Sequence, residues 1–168
     1  MRSTPTPEAY LHLLRTLAEQ GNPKAQHNLG AMLLHGQGVA REDTAAAHWF
    51  RKAAEQGIAL AQHNLGLMLL QGQGVARDPV EAVRWFLAAA RQGDPRSQHI
   101  VGALYYEGEG VPQDMTQAYF WLSLSVARTP EELQPHIRTI QEHVATLLST
   151  EEQQRILRLV AGWQPQPS

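Results

Sequence analysis

Residues 25–60 read AQHNLGAMLLHGQGVAREDTAAAHWFRKAAEQGIAL, and residues 61–96 read AQHNLGLMLLQGQGVARDPVEAVRWFLAAARQGDPR. Of these 36 aligned positions 22 are identical, and a third, more diverged copy opens at Ser97 with SQHIVGALYYEGEGV. A fixed period of about 20 to 50 residues marks a stacked-repeat architecture, in which each copy buries its apolar face only against its neighbours. Such stacks usually work as extended binding surfaces.

Each copy holds two helical patterns around a glycine-rich turn. Small or apolar residues recur at Ala25, Leu29, Met32 and Leu33, and again at Ala61, Leu65, Met68 and Leu69, the one-face spacing of an amphipathic helix. The turns HGQGV, QGQGV and EGEGV carry the pairs Gly36/Gly38, Gly72/Gly74 and Gly108/Gly110, which permit the positive φ that ends a helix and reverses the chain. The second helix follows Glu42, Asp78 or Asp114 and carries Trp49-Phe50 or Trp85-Phe86 among small residues. Gly57 and Gly93 end it in the first two copies. Asn22-Pro23 and Asp94-Pro95 place a side-chain cap before a proline at the first helical position; Ile58-Ala59 leaves the middle copy without one. Trp49, Trp85 and Trp121 recur at the repeat period and are expected in the core.

The ends complete the stack. Residues 7–24 match only the second half of a copy, with Gly21 standing 36 positions before Gly57. Thr129-Pro130-Glu131-Glu132 and Ser149-Thr150-Glu151-Glu152 both read as capping boxes, each opening an apolar-periodic segment. The organisation expected is one domain over 1–168: a half repeat (7–24), repeats at 25–60, 61–96 and 97–128, a capping hairpin (129–163) and a disordered tail (164–168).

Composition excludes several function classes. Cysteine is absent, so a disulfide framework, a thiolate metal site and a cysteine nucleophile are ruled out. The 14 Lys and Arg nearly balance the 16 Asp and Glu and are scattered, which predicts neither nucleic acid nor an anionic membrane as partner. The longest apolar runs, such as Leu67 to Leu70, fall far short of the about 20 residues that cross a bilayer. The first twenty residues lack the apolar stretch and cleavage site of a secretory signal. A cytoplasmic location is expected, or a periplasmic one if a signal peptide has been removed.

No motif for catalysis stands out: HExxH, G-x-S-x-G and G-x-x-x-x-G-K-S/T are all missing. The GQG turns follow helices and recur in every copy, so they read as turns. The sharpest constellation is a histidine column, His27, His63 and His99, one per copy. Helices in such a stack sit about 8 to 10 Å apart, too far for a shared zinc ion. Neither metal nor cofactor is expected, and the chain reads as a non-enzyme.

The pattern A-x-x-x-L-G-x-x-L/Y-x-x-G-x-G-V, followed by A-x-x-W-F-x-x-A-A-x-Q-G, resembles the Sel1-like repeat, a relative of the tetratricopeptide repeat. The resemblance covers residues 25–128 closely, and the ends by analogy. It implies an all-α fold, a right-handed α-α superhelix of helix hairpins, whose first helices line a concave face. It also implies an adaptor or scaffold for a protein or peptide partner, of the kind bacterial members supply. On that face the resemblance places His27, Asn28, Ala31 and His35, then His63, Asn64, Leu67 and Gln71, then His99, Ala103 and Tyr106. Imidazoles, carboxamides and small apolar groups together suit an extended peptide, whose backbone needs hydrogen bonds and whose side chains need pockets. Two alternatives stand beside it. One is an envelope-associated hydrolase or ligand-binding repeat protein, although such relatives carry cysteine pairs that this chain lacks. The other is a subunit that self-associates weakly through the N-terminal half repeat. Titration of eight histidines against a formal charge of −2 predicts that binding through the column changes between about pH 7 and 5.

Overall fold

The computed structural model describes residues 7–166. Among these, the regular elements are all helical: α1 (Pro7–Glu19), α2 (Pro23–His35), α3 (Asp43–Glu55), α4 (Ala59–Gln71), α5 (Pro79–Arg91), α6 (Pro95–Glu107), α7 (Met115–Arg128), α8 (Pro135–Thr146) and α9 (Thr150–Gly162). A short 3-10 turn, Glu131–Leu133, precedes α8. The chain forms two compact units, one up to Asp78 and one from Pro79. In the first, α1 packs on α2, α2 on α3 and α3 on α4. In the second, α5 packs on α6 and α6 on α7, while α8 and α9 both lie against α7 and α8 also touches α6. This is the all-α, hairpin-by-hairpin stacking that the repeat implies.

The helix boundaries follow from local chemistry. The Asn22 carboxamide accepts from the Ala25 N–H at 3.0 Å, and the Asp94 carboxylate accepts from Ser97 N–H at 2.9 Å and Ser97 Oγ at 2.6 Å. Ile58 offers α4 no side-chain cap. Gly36, Gly72 and Gly108 adopt φ of +64°, +71° and +74°, each donating its N–H back into the last turn. A further bond closes each reversal: the N–H of Glu42, Asp78 and Asp114 reaches the carbonyl of Leu33, Leu69 and Tyr105 at 3.0, 2.9 and 2.9 Å.

The core is built on Phe50 and Phe86, both with no exposed surface, and on Leu122 at the corresponding place in the third copy. A Cβ at Gly30 would meet the Phe50 ring at 3.0 Å, and one at Gly102 would meet Leu122 Cγ at 2.6 Å. The glycine of the L-G pair therefore lets the two helices of a hairpin approach closely. The tryptophans correct the sequence reading. Trp49 and Trp85 are only half-buried. Lys52 Nζ stands 5.2 Å from the Trp49 ring, and the Trp85 indole N–H donates to Glu81 Oε1 at 3.1 Å. Only Trp121 is buried. The reason is rotational: Trp and Phe are adjacent, so a helix that turns Phe fully inward leaves Trp at the edge of the apolar stripe.

Two contacts join successive copies. The second turn glycine presses on the start of the preceding copy's second helix: a Cβ at Gly74 would run into the backbone of Asp43, and one at Gly110 into that of Pro79. Asp43 also holds the Gln73 carboxamide at 3.2 Å and the Arg41 guanidinium at 2.7 Å. The hydrogen bond from Arg41, foremost, holds the Asp43 carboxyl below its ordinary range. The other contact is a buried glutamine that donates to a carbonyl eight residues back, in the last turn of the preceding helix. Gln26 binds Ala18, Gln62 binds Ala54 and Gln98 binds Ala90, each at 3.1 Å. Gln134, 36 residues after Gln98, binds Val126 at 3.0 Å. The 3-10 turn at Glu131 thus begins in phase with the repeats, 36 residues after Pro95, and α8 starts four residues later at Pro135.

The C-terminal expectations need correction. Ser149 forms the full capping box with Glu152. Thr129 does not, because no α-helix follows it: Pro130 is extended at φ −52°, ψ 144°, and α8 starts only at Pro135, whose missing N–H costs nothing at a first helical position. The tail is not free where it is described. Trp163 lies under the Arg128 guanidinium at 4.4 Å, Pro165 lies over Gly93, and the Gln166 N–H donates to the Arg91 carbonyl at 2.8 Å. Tethering to orphan carbonyls at the end of α5 orders a sequence whose composition alone reads as loose. Residues 167–168 of that tail lie outside the described residues.

Candidate interaction surface

The first helix of each copy carries the expected surface residues, and the structure sorts them. In the first unit, Asn28, His35 and Gln71 are exposed, while His27, Ala31, Asn64 and Leu67 are half-buried. His63 is buried, with 6% of its surface exposed. It offers a partner little surface, unlike the other residues of the expected face.

His27 sits in the seam between α2 and α4. Its Nδ1 is 3.2 Å from Asn28 Oδ1, its Nε2 is 3.5 Å from Asn64 Nδ2, and its ring is 5.7 Å from that of Phe50. A neutral ring with the proton on Nδ1 donates to Asn28 and accepts from Asn64, so a single tautomer satisfies both neighbours. Beside this polar chain lies a hollow of about 300 Å³ lined by Tyr10, Asn28, Ala31, Met32 and Gln37. Of these, Asn28 and Ala31 belong to the face that the resemblance implies, Tyr10 and Gln37 add to it, and Met32 lies here although its spacing predicts an inward-facing residue. The equivalent Met68 is buried at 1%, whereas Met32 is half-buried. Exact repetition in sequence concealed the difference, since Met32 has the half repeat α1 as its neighbour.

In the second unit, His99, Ala103 and Tyr106 are half-buried. His99 meets His136 of α8 edge to face at 5.7 Å, and Tyr106 meets His143 of α8 in the same way at 5.6 Å. The partners in both pairs are 37 residues apart, as are His27 and Asn64. His27 and His99 therefore lie in seams, the first between α2 and α4 and the second between α6 and α8. Burial, and secondarily the charge of His136, push the His99 imidazole below its ordinary value. Its Nε2 is buried with no hydrogen-bond partner, a setting that disfavours the charged ring. Among the described residues, no three His, Asp or Glu side chains gather closely enough to hold a metal ion.

Helix hairpins, in-phase glutamines and turn glycines define an all-α repeat protein. The Sel1 repeat model matches residues 23–58, 59–94 and 95–128, more than half of the chain, so the chain belongs to the Sel1-repeat family. The matched frame starts two residues before the one read from sequence identity. No curated protein matches the sequence. Among solved structures, a Sel1 repeat protein from Oxalobacter formigenes is 33% identical with a TM-score of 0.68, over 77% of this chain and 97% of that one. A second is c5321, a protective antigen present in uropathogenic Escherichia coli strains and displaying an SLR fold. It is 28% identical with a TM-score of 0.64, over 96% of this chain but 42% of that one. This chain thus spans less than half the length of the antigen. Proteins built of Sel1 repeats generally act as protein-interaction scaffolds. No helix among the described residues is long and apolar enough to cross a membrane.

Proposed function

We propose that the chain is a non-enzymatic scaffold whose first unit binds an extended peptide segment of a protein partner across α1, α2 and α4. The observation that carries this reading is the hollow of about 300 Å³ between Tyr10, Asn28, Ala31, Met32 and Gln37. That volume is at the lower bound for small-molecule sites and accommodates one apolar side chain. Its rim is a phenol and two carboxamides, groups that bind a peptide backbone without demanding a charge. The neighbouring Asn64 extends the carboxamide row by one copy. Asn28, Asn64, Leu67, Gln71 and His35 form the contact surface on this reading, with Tyr10 and Met32 added to it; His27 positions Asn28 and Asn64.

Selection of a displayed random-peptide library on the intact chain tests it. Peptides with a recurrent apolar residue should be enriched, and the enrichment should vanish on an Ala31→Arg variant that fills the hollow while folding normally. Equal enrichment on both proteins would contradict this face as the binding site.

A further inference from the structure

The His99–His136 contact pairs two imidazoles across α6 and α8 at 5.7 Å, and His99 Nε2 is buried with no hydrogen-bond partner. We propose that this pair is a proton-operated seam, which holds α8 and α9 on the second unit at neutral pH and loosens them as the histidines charge. The geometry makes the contact favourable only while at least one ring is neutral. Two neutral imidazoles meet edge to face, as aromatic rings prefer, whereas two imidazolium ions at this separation repel.

The carboxylates nearest this end of the seam are Glu131 and Glu132 of the 3-10 turn packed on α8, both exposed to water. The buried sides of α5 (Ala82, Val83, Phe86, Ala89, Ala90) and α7 (Ala118, Trp121, Leu122, Ser123, Leu124, Ser125) are uncharged, and the α7 phenol of Tyr119 is held above its ordinary value by burial. On α8, Arg138 donates to Gln134 Oε1 at 2.8 Å, while Glu142 and His143 are exposed a turn or more further along. On α6, Arg96 is paired with Asp94 at 3.1 Å, and Glu107 is exposed at the far end. The second rung, Tyr106–His143, places another imidazole on the same seam. The α2–α4 seam differs where it matters: Asn64, not histidine, faces His27. A single imidazolium there meets a carboxamide, which can turn its oxygen toward the ring. The device therefore belongs to the C-terminal seam alone. Exposure of His99 and Tyr106 to a partner on acidification is a consequence that rests on the scaffold reading above; the seam itself does not depend on it.

Hydrogen exchange of the full chain at pH 7.5 and 5.5, corrected for intrinsic exchange, tests the seam directly. Protection in α8 and α9 should fall several-fold at the lower pH, while α2 and α3 keep theirs. His136→Asn, which copies the α2–α4 seam and alters an exposed side chain, should keep α8 and α9 protected at pH 5.5. An equal loss in His136→Asn, or no loss in the natural chain, would overturn the proposal. Ring titration of His99 by NMR gives a second check: its midpoint should rise in His136→Asn, where the neighbouring charge is gone, and an unchanged midpoint would overturn the proposal.

Discussion

The Gln98 carboxamide donates to the Ala90 carbonyl at 3.1 Å from a side chain with no exposed surface, yet its own Oε1 accepts nothing. In the first copy the corresponding oxygen, Gln26 Oε1, accepts from Gln56 Nε2 at 2.7 Å. The third copy has Arg128 at the place of Gln56, and that guanidinium covers Trp163 instead. The same buried bond thus occurs in two states of completion. Replacing Gln26 with leucine should cost about 1 to 3 kcal/mol, because the Ala18 carbonyl and the Gln56 amide both lose a partner. Gln98→Leu should lie at the lower end of that range, since it strands one group and relieves another. Urea unfolding of the two variants measures the difference.

The two close helix approaches differ in tightness. A Cβ at Gly102 meets Leu122 Cγ at 2.6 Å and its backbone N at 3.1 Å, whereas one at Gly30 meets the movable Phe50 ring at 3.0 Å. Alanine is intrinsically better than glycine in a helix by about 1 kcal/mol, and overpacking costs about 1 to 3 kcal/mol. Gly102→Ala should therefore lower the unfolding temperature, and Gly30→Ala should be close to neutral. Calorimetry on both decides it.

Capping gives a paired test. Ser149→Ala removes a cap that is formed and should cost about 1 kcal/mol. Thr129→Ala removes a box present in the letters but absent from the fold, and should stay within about 0.5 kcal/mol. Equal costs in denaturant would show that the C-terminal helices start elsewhere.

Stability should also depend on pH in two separate windows. His99 is depressed below its model-compound value of 6.5, mainly by burial, so below that pH the unfolded chain takes up a proton that the folded chain refuses. Folding is weakened progressively as pH falls from about 6.5 until His99 charges in the folded state as well. Glu152, lowered chiefly by its hydrogen bond with Ser149, retains its contribution through that range and loses it only below about pH 4.5. A urea midpoint that declines between pH 7 and 5.5, and declines less in His99→Gln, is the expected result.

The hairpins were legible because glycine pairs, prolines after capping residues and the period of 36 each have a local cause. The core was half legible: Phe50 and Trp49 are neighbours of similar hydrophobicity, and only the rotation of α3 about its axis decides that Phe50 is buried. The glutamine series was visible as a repeated Gln26, Gln62, Gln98 and Gln134, but its purpose depends on carbonyls eight residues away in a preceding helix. The burial of His63 and the opening beside Met32 were hidden for the same reason. Residues identical in successive copies have different neighbours at the end of a stack, and exposure is a property of neighbours.

The most direct test of the scaffold reading is titration calorimetry of a library-selected peptide against the natural chain and Ala31→Arg, with unfolding temperatures measured in parallel. The account predicts at least a tenfold rise in Kd, about 1.4 kcal/mol, at unchanged unfolding temperature. An unchanged Kd on a folded Ala31→Arg chain would contradict it.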